Sequence, residues 1–110
     1  HGLWSINRES LLAALTPRTR AILVVSPNTP TGSRLRGDDR EWLVTMALEH
    51  GLAIISDEVF IDYPLAPADD ASSFLGEERV LTFTLGGLSK SAGLPQVKLG
   101  WMVASGPAAA

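Results

Sequence analysis

The sequence predicts an α/β fold built on a mainly parallel sheet with one antiparallel strand, and three observations carry that prediction. Short apolar runs rich in β-branched residues recur along the chain, as buried strands require. A strand, a helix and a second strand follow one another within about forty residues, the length of a βαβ unit. The last two runs are joined by a turn too short for a helical crossover, so the fourth strand should run antiparallel to the third.

The elements follow in order. Asn7 is placed to cap a helix over residues 8–15, where Leu11, Leu12 and Leu15 share a face and Pro17 blocks continuation. Ala21–Val25, apolar on both faces and bounded by Ser26 and Pro27, reads as a buried strand. Gly37–His50 reads as a helix, with Asp38 and Asp39 at the positive end of its dipole. Trp42, Leu43, Met46 and Ala47 recur along it at three-to-four spacing, and Gly51 stops it. Residues 52–57 form the second strand, 79–85 the third and 97–104 the fourth, with a loop rich in Pro, Ala and Asp over 64–73 and a glycine turn at Gly86 and Gly87. Trp4, Trp42 and Trp101 are read as packing residues, and His50 as a favourable charge at a helix end.

Composition narrows the classes of function. With 45% hydrophobic and 19% charged residues the chain has the balance of a globular domain, and no linker or repeat divides its 110 residues. Nine Lys and Arg residues are scattered over a net charge of -3, so there is no basic stripe for nucleic acid. No apolar run approaches the roughly 20 residues that cross a bilayer, so no membrane association is expected. Without cysteine, and with only His1 and His50 as histidines, no metal site is expected, and the lack of thiols fits a cytoplasmic protein. The start without Met and the small-residue end read as those of a piece of a longer protein.

Three loops follow the carboxyl ends of predicted strands, the edge at which open α/β sheets bind ligands. They are Ser26-Pro27-Asn28-Thr29-Pro30-Thr31-Gly32, the pair Asp57-Glu58, and Gly86-Gly87-Leu88-Ser89-Lys90. With the strands side by side, a polar turn, an acid and a lysine face one crevice. That set suits pyridoxal 5'-phosphate: a lysine amine forms a Schiff base, and a carboxylate keeps the pyridine nitrogen protonated so that the ring accepts electrons. Glu58 is read as structural.

The same segments, with Ser56-Asp57-Glu58-Val59-Phe60 and the stretch from Leu88 through Ser89, Lys90 and Lys98 to Trp101, resemble three successive signatures of the class I/II aminotransferases of fold type I. Their order and spacing match over residues 26–101. The resemblance implies a three-layer α/β/α sandwich of which residues 1–110 are part of the cofactor-binding large domain. It makes Lys90 the Schiff-base and catalytic lysine and Asp57 the partner of the pyridine nitrogen. Asn28 or Thr29 would hold the ring oxygen, and Ser89 and Lys98 the phosphate. It also implies transfer of an amino group from an amino acid to a 2-oxo acid by a homodimer.

Four departures from the family pattern stand out. Thr29 occupies the usual place of an asparagine, Phe60 that of a tyrosine, Gly86 and Gly87 places where serine often helps with phosphate, and Lys98 that of an arginine. A lysine keeps the charge but loses the bidentate fork. Two kinds of alternative remain at this level: a lyase (carbon–sulfur) or decarboxylase on the same lysine and acid, and a cofactor-sensing domain of a transcription regulator. These 110 residues alone are expected to turn over little or nothing, because such sites are assembled from several elements.

Overall fold

The computed structural model describes residues 4–63 and 73–107. The expected loop over 64–73 lies, apart from Ser73, outside the described residues, as do the first three and last three positions. Four strands form one sheet in the order β1-β2-β3-β4: β1 is Ala21–Val25, β2 Ala53–Asp57, β3 Thr82–Gly87 and β4 Gly100–Ser105. β1, β2 and β3 pair in parallel and β4 returns antiparallel to β3, as the short connection requires.

Helix α1, Arg8–Ala14, starts where the cap predicts: the Ser10 amide donates to Asn7 Oδ1 at 2.9 Å. Asn7→Ala in the full-length protein should therefore cost about 1 kcal/mol in chemical denaturation. Helix α2, Gly37–His50, ends on Gly51, whose φ of 62° is the left-handed turn that glycine adopts without strain. Asp39 does more than meet a helix dipole. Buried in the first turn of α2, it accepts the Ile6 amide at 3.3 Å and the Arg8 guanidinium at 3.1 Å, and Arg8 lies 5.1 Å over the Trp42 ring. The chain before α1 is thereby fastened to α2.

Side chains alternate across a strand, so the registers sort the sheet into two faces. One carries Val24, Ser56 and Thr84, which are aligned in register, with Ile54 and Thr82 beside them. α2 lies against this face, with Leu43, Val44 and Ala47 fully buried in a core that includes Ile54 and Phe74. The other carries Leu23, Ile55 and Phe83 and, one pair further, Val25, Asp57 and Leu85. No described element covers it. The expectation that β1 is buried on both faces is thus corrected: among the described residues it lies at the end of the sheet order and no element packs on its second face, where Leu23 is 66% exposed. The described residues supply the sheet and one helical layer of the sandwich.

The later strand boundaries also move. Residues 79–81 do not extend as strand, because the Arg79 amide turns back to Glu77 Oε1 at 2.9 Å and Val80 drops into the core. Gly86 and Gly87 are strand and not turn. The Trp101 indole lies so close over Gly86 that a Cβ there would fall 2.3 Å from Nε1, and the pair fits only because position 86 has no side chain. Residues 97–99 leave the fourth strand, since Pro95–Val97 form a 3-10 turn that ends on Lys98 at φ 51°. Trp4 is exposed instead of packed, whereas Trp42 packs on the core as expected.

A cluster of ions ties α2 to the approach to β3. Glu77, almost fully buried, takes Arg79 Nε and Nη2 at 2.8 and 2.7 Å and Arg40 Nη2 at 3.0 Å. Arg79 also reaches both oxygens of Glu41, and Arg40 lies 4.9 Å over Phe74. The Arg79 side chain holds the Glu77 carboxyl down to about 2 and likewise lowers Glu41, while the Glu77 and Glu41 carboxylates in turn strengthen the hold of Arg79 on its proton.

Candidate active site

The three strand-end loops are brought side by side by the ladder itself. The Ser26 amide donates to the Asp57 carbonyl and the Glu58 amide to the Leu85 carbonyl, each at 3.0 Å, so the last rungs lie where the loops begin. The first loop folds back on itself. The Asn28 amide reaches the Ser33 carbonyl at 2.8 Å, the Gly32 amide reaches the Asn28 carbonyl at 2.7 Å, and the buried Ser26 hydroxyl accepts the Leu35 amide at 2.9 Å. Asn28 and Thr29 are left exposed on its outer wall.

The second loop begins with Asp57 on the uncovered face of the sheet, where its carboxylate accepts the Val59 amide at 3.2 Å. Glu58 points the other way and is structural, as read. Its oxygens accept the Ser56 and Ser73 hydroxyls at 2.9 and 2.5 Å and the Phe74 amide at 2.8 Å. Two tight turns follow, closed by the Ile61 amide on the Glu58 carbonyl and the Tyr63 amide on the Phe60 carbonyl. They present Phe60 and Tyr63 to the first loop. Together with Asn28, Thr29 and Pro30 these rings line a cleft of about 180 Å³.

The third loop is helix α3, Leu88–Ser91, a single turn at the tip of the β3–β4 hairpin. Lys90 projects from it so that Nζ lies 5.3 Å from the Phe60 ring centroid, within the range of a cation–π contact. The Tyr63 hydroxyl donates to the Lys90 carbonyl. Phe60 is therefore the hub: one wall of the cleft holds Asn28 and Thr29, and Lys90 stands over the ring that forms the other.

Of the six residues singled out in the sequence, Asn28, Thr29 and Lys90 gather around Phe60, and Asp57 begins the loop that carries it. Ser89 and Lys98 are exposed, and of the six only Asn28 and Thr29 line the cleft itself. Sequence reasoning passed over Tyr63. Its signal was available: it is the only tyrosine of the chain, and it stands three residues beyond the ring that lacks a hydroxyl.

The family model for aminotransferase class I and II matches residues 2–109. Glutamate-pyruvate aminotransferase AlaA of Escherichia coli strain K12 is 34% identical over 104 residues, which are 94% of this chain and 26% of that protein. An aspartate aminotransferase of Geobacillus stearothermophilus is 32% identical over 106 residues, with the same two coverages. Among solved structures, an aminotransferase from Escherichia coli superposes with a TM-score of 0.82 at 35% identity, covering 91% of this chain and 25% of that one. The alanine aminotransferase of Pyrococcus furiosus gives 0.79 at 30% identity over the same shares. The chain thus spans about a quarter of the length of the curated relatives it matches. Within that quarter lie the three motif loops in their expected order, and the chain belongs to the class I and II aminotransferase family.

Proposed function

We propose that the full-length protein moves an amino group from an amino acid to a 2-oxo acid with pyridoxal 5'-phosphate carried on Lys90. The observation that supports this best is the placement of the Lys90 amine over the ring of Phe60, a residue that lines the cleft together with Asn28 and Thr29. The donor set suits that cofactor: a primary amine, a carboxylate at the end of the neighbouring strand, an amide and a hydroxyl across the cleft, and a hydroxyl and a cation on the hairpin tip. When bound, the cofactor supplies an aldehyde for a primary amine and a ring that accepts the electron pair released at the α-carbon.

Each residue then has its task. Lys90 holds the cofactor and, once displaced by the substrate amine, carries a proton to and from the α-carbon. Asp57 places a negative charge for the ring nitrogen. Thr29 or Asn28 offers a hydrogen bond to the ring oxygen, and Ser89 and Lys98 meet the phosphate. With phenylalanine at position 60, a second hydrogen bond to the ring oxygen from that position is absent. The relatives and structures named above are aminotransferases, which favours amino transfer over lyase, decarboxylase or sensor roles.

The working protein is proposed to be a cytoplasmic homodimer whose remaining length completes the site, so that residues 1–110 form part of its cofactor-binding large domain and turn over little by themselves. No helix among the described residues is long and apolar enough to cross a membrane. The test is reduction with borohydride of the full-length protein incubated with pyridoxal 5'-phosphate, followed by peptide mass mapping. Label on Lys90 is expected; label absent from Lys90 in the folded protein overturns the assignment.

A further inference from the structure

Helix α3 is a single turn, too short to sustain itself, because the first turn of a helix fixes several dihedrals for one hydrogen bond. Its geometry depends on outside ties. Two come from its own hairpin: the Leu88 amide donates to the Leu99 carbonyl at 3.0 Å, and the Ser91 hydroxyl to the Gly87 carbonyl at 2.9 Å. Inside the turn, the Ala92 and Leu94 amides both close on the Leu88 carbonyl, at 3.2 and 3.1 Å. Neither uses the carbonyl of Lys90, one of the unsatisfied acceptors that every helix end presents.

Tyr63 supplies the partner. Its hydroxyl donates to the Lys90 carbonyl from the loop after β2, so this tie joins the lysine-bearing turn to the wall of the cleft and not to its own hairpin. Burial is not what places the ring, which is 51% exposed. Three residues earlier, in the same closed turn, Phe60 offers its face to Lys90 Nζ. One loop thus grips one residue at both ends, the side-chain amine through a ring face and the main-chain carbonyl through a phenol. A lysine carries its amine on a flexible four-carbon stem, and the position of the amine depends on holding the backbone from which that stem departs.

We propose that Tyr63 is a positioning residue for Lys90: its hydroxyl fixes the main chain of α3 against the cleft so that the amine falls over Phe60. The inference rests on the assignment of Lys90 as the cofactor-carrying lysine.

The test is Tyr63→Phe in the full-length protein, which removes the hydroxyl and keeps the ring. In the cofactor-free protein, amide exchange at Ala92 and Leu94 should quicken about fivefold, the worth of one hydrogen bond. In the loaded protein kcat should fall about tenfold, KM for the amino donor should stay within about twofold, and the circular dichroism of the bound cofactor should change as its lysine shifts. The thermal unfolding midpoint should hold, which separates positioning from general stability. Borohydride label on Lys90 in both proteins, with kcat and exchange equal between them, overturns the role of Tyr63 and leaves the lysine assignment standing. No label on Lys90 in the unaltered protein overturns both.

Discussion

Lys90→Arg in the full-length protein should lower the rate of amino transfer by about four orders of magnitude while leaving the thermal midpoint almost unchanged. Acid–base work by a positioned side chain contributes about 10²–10⁴-fold, and loss of the covalent attachment adds to it. A guanidinium stays charged throughout the usable pH range, so it can neither join an aldehyde nor take a proton from an α-carbon. Stability should hold because Lys90 is exposed and its side-chain contact is with the face of Phe60, on which arginine stacks equally well. Steady-state turnover with an amino donor and a 2-oxo acid, beside a thermal melt, checks both halves. Only two lysines occur in the 110 residues, so activity retained within about tenfold would turn attention to Lys98. The backbone there sits at φ 51° at the end of a 3-10 turn.

Glu77→Gln should cost the full-length protein about 2–3 kcal/mol at neutral pH, through loss of the charged partner of Arg79 and Arg40. The lower end of the range for breaking a buried pair applies because the Arg79 side chain is 47% exposed and partly solvated. Because the folded carboxyl is held at about 2 against an ordinary 4.5, the folded state binds the proton less well than the unfolded state. The advantage of the glutamate is therefore whole above 4.5 and drains as the pH falls from 4.5 toward 2. Urea unfolding of both proteins across that window should show their stabilities converging from the neutral side downward. A gap that stays constant with pH would mean that the loss comes from packing and not from charge.

Local chemistry carried far in the sequence where it acted locally. Asn7 and Gly51 fix the start of α1 and the end of α2 through interactions spanning three or four residues, and those ends are readable from side-chain type alone. The antiparallel return of β4 followed from the length of one connection. What the sequence did not disclose depends on partners distant along the chain. Arg79 looked like the start of a strand because periodicity shows neither the turn of its amide back onto Glu77 nor the packing of Val80 into a core that α2 supplies from more than thirty positions away. Gly86 looked like a turn because the indole that needs its bare Cα comes from β4. The exposure of Leu23 could not be read from an apolar run, which records what a face prefers and not what covers it.

The candidate site divides the same way. Residue types at three strand ends pointed to Lys90, Asp57, Asn28 and Thr29, and pairing of those strands brought the loops together. Phe60 had been counted only for the hydroxyl it lacks. Its role as the surface beneath Lys90 Nζ emerges from a contact between loops thirty residues apart.

The parallel register of β2 also limits how chain length can vary here. Ser56 and Glu58 face the helical side of the sheet while Asp57 faces away from it, and the alternation has a period of two. Deleting or inserting one residue anywhere within β2 would exchange those seats, turning the acid into the core and a buried hydrogen-bonding group out of it, without altering a single residue type. Length variation compatible with this site is therefore confined to the connections between strands, and a homologous chain with a one-residue gap inside β2 would need a bulge to restore the phase.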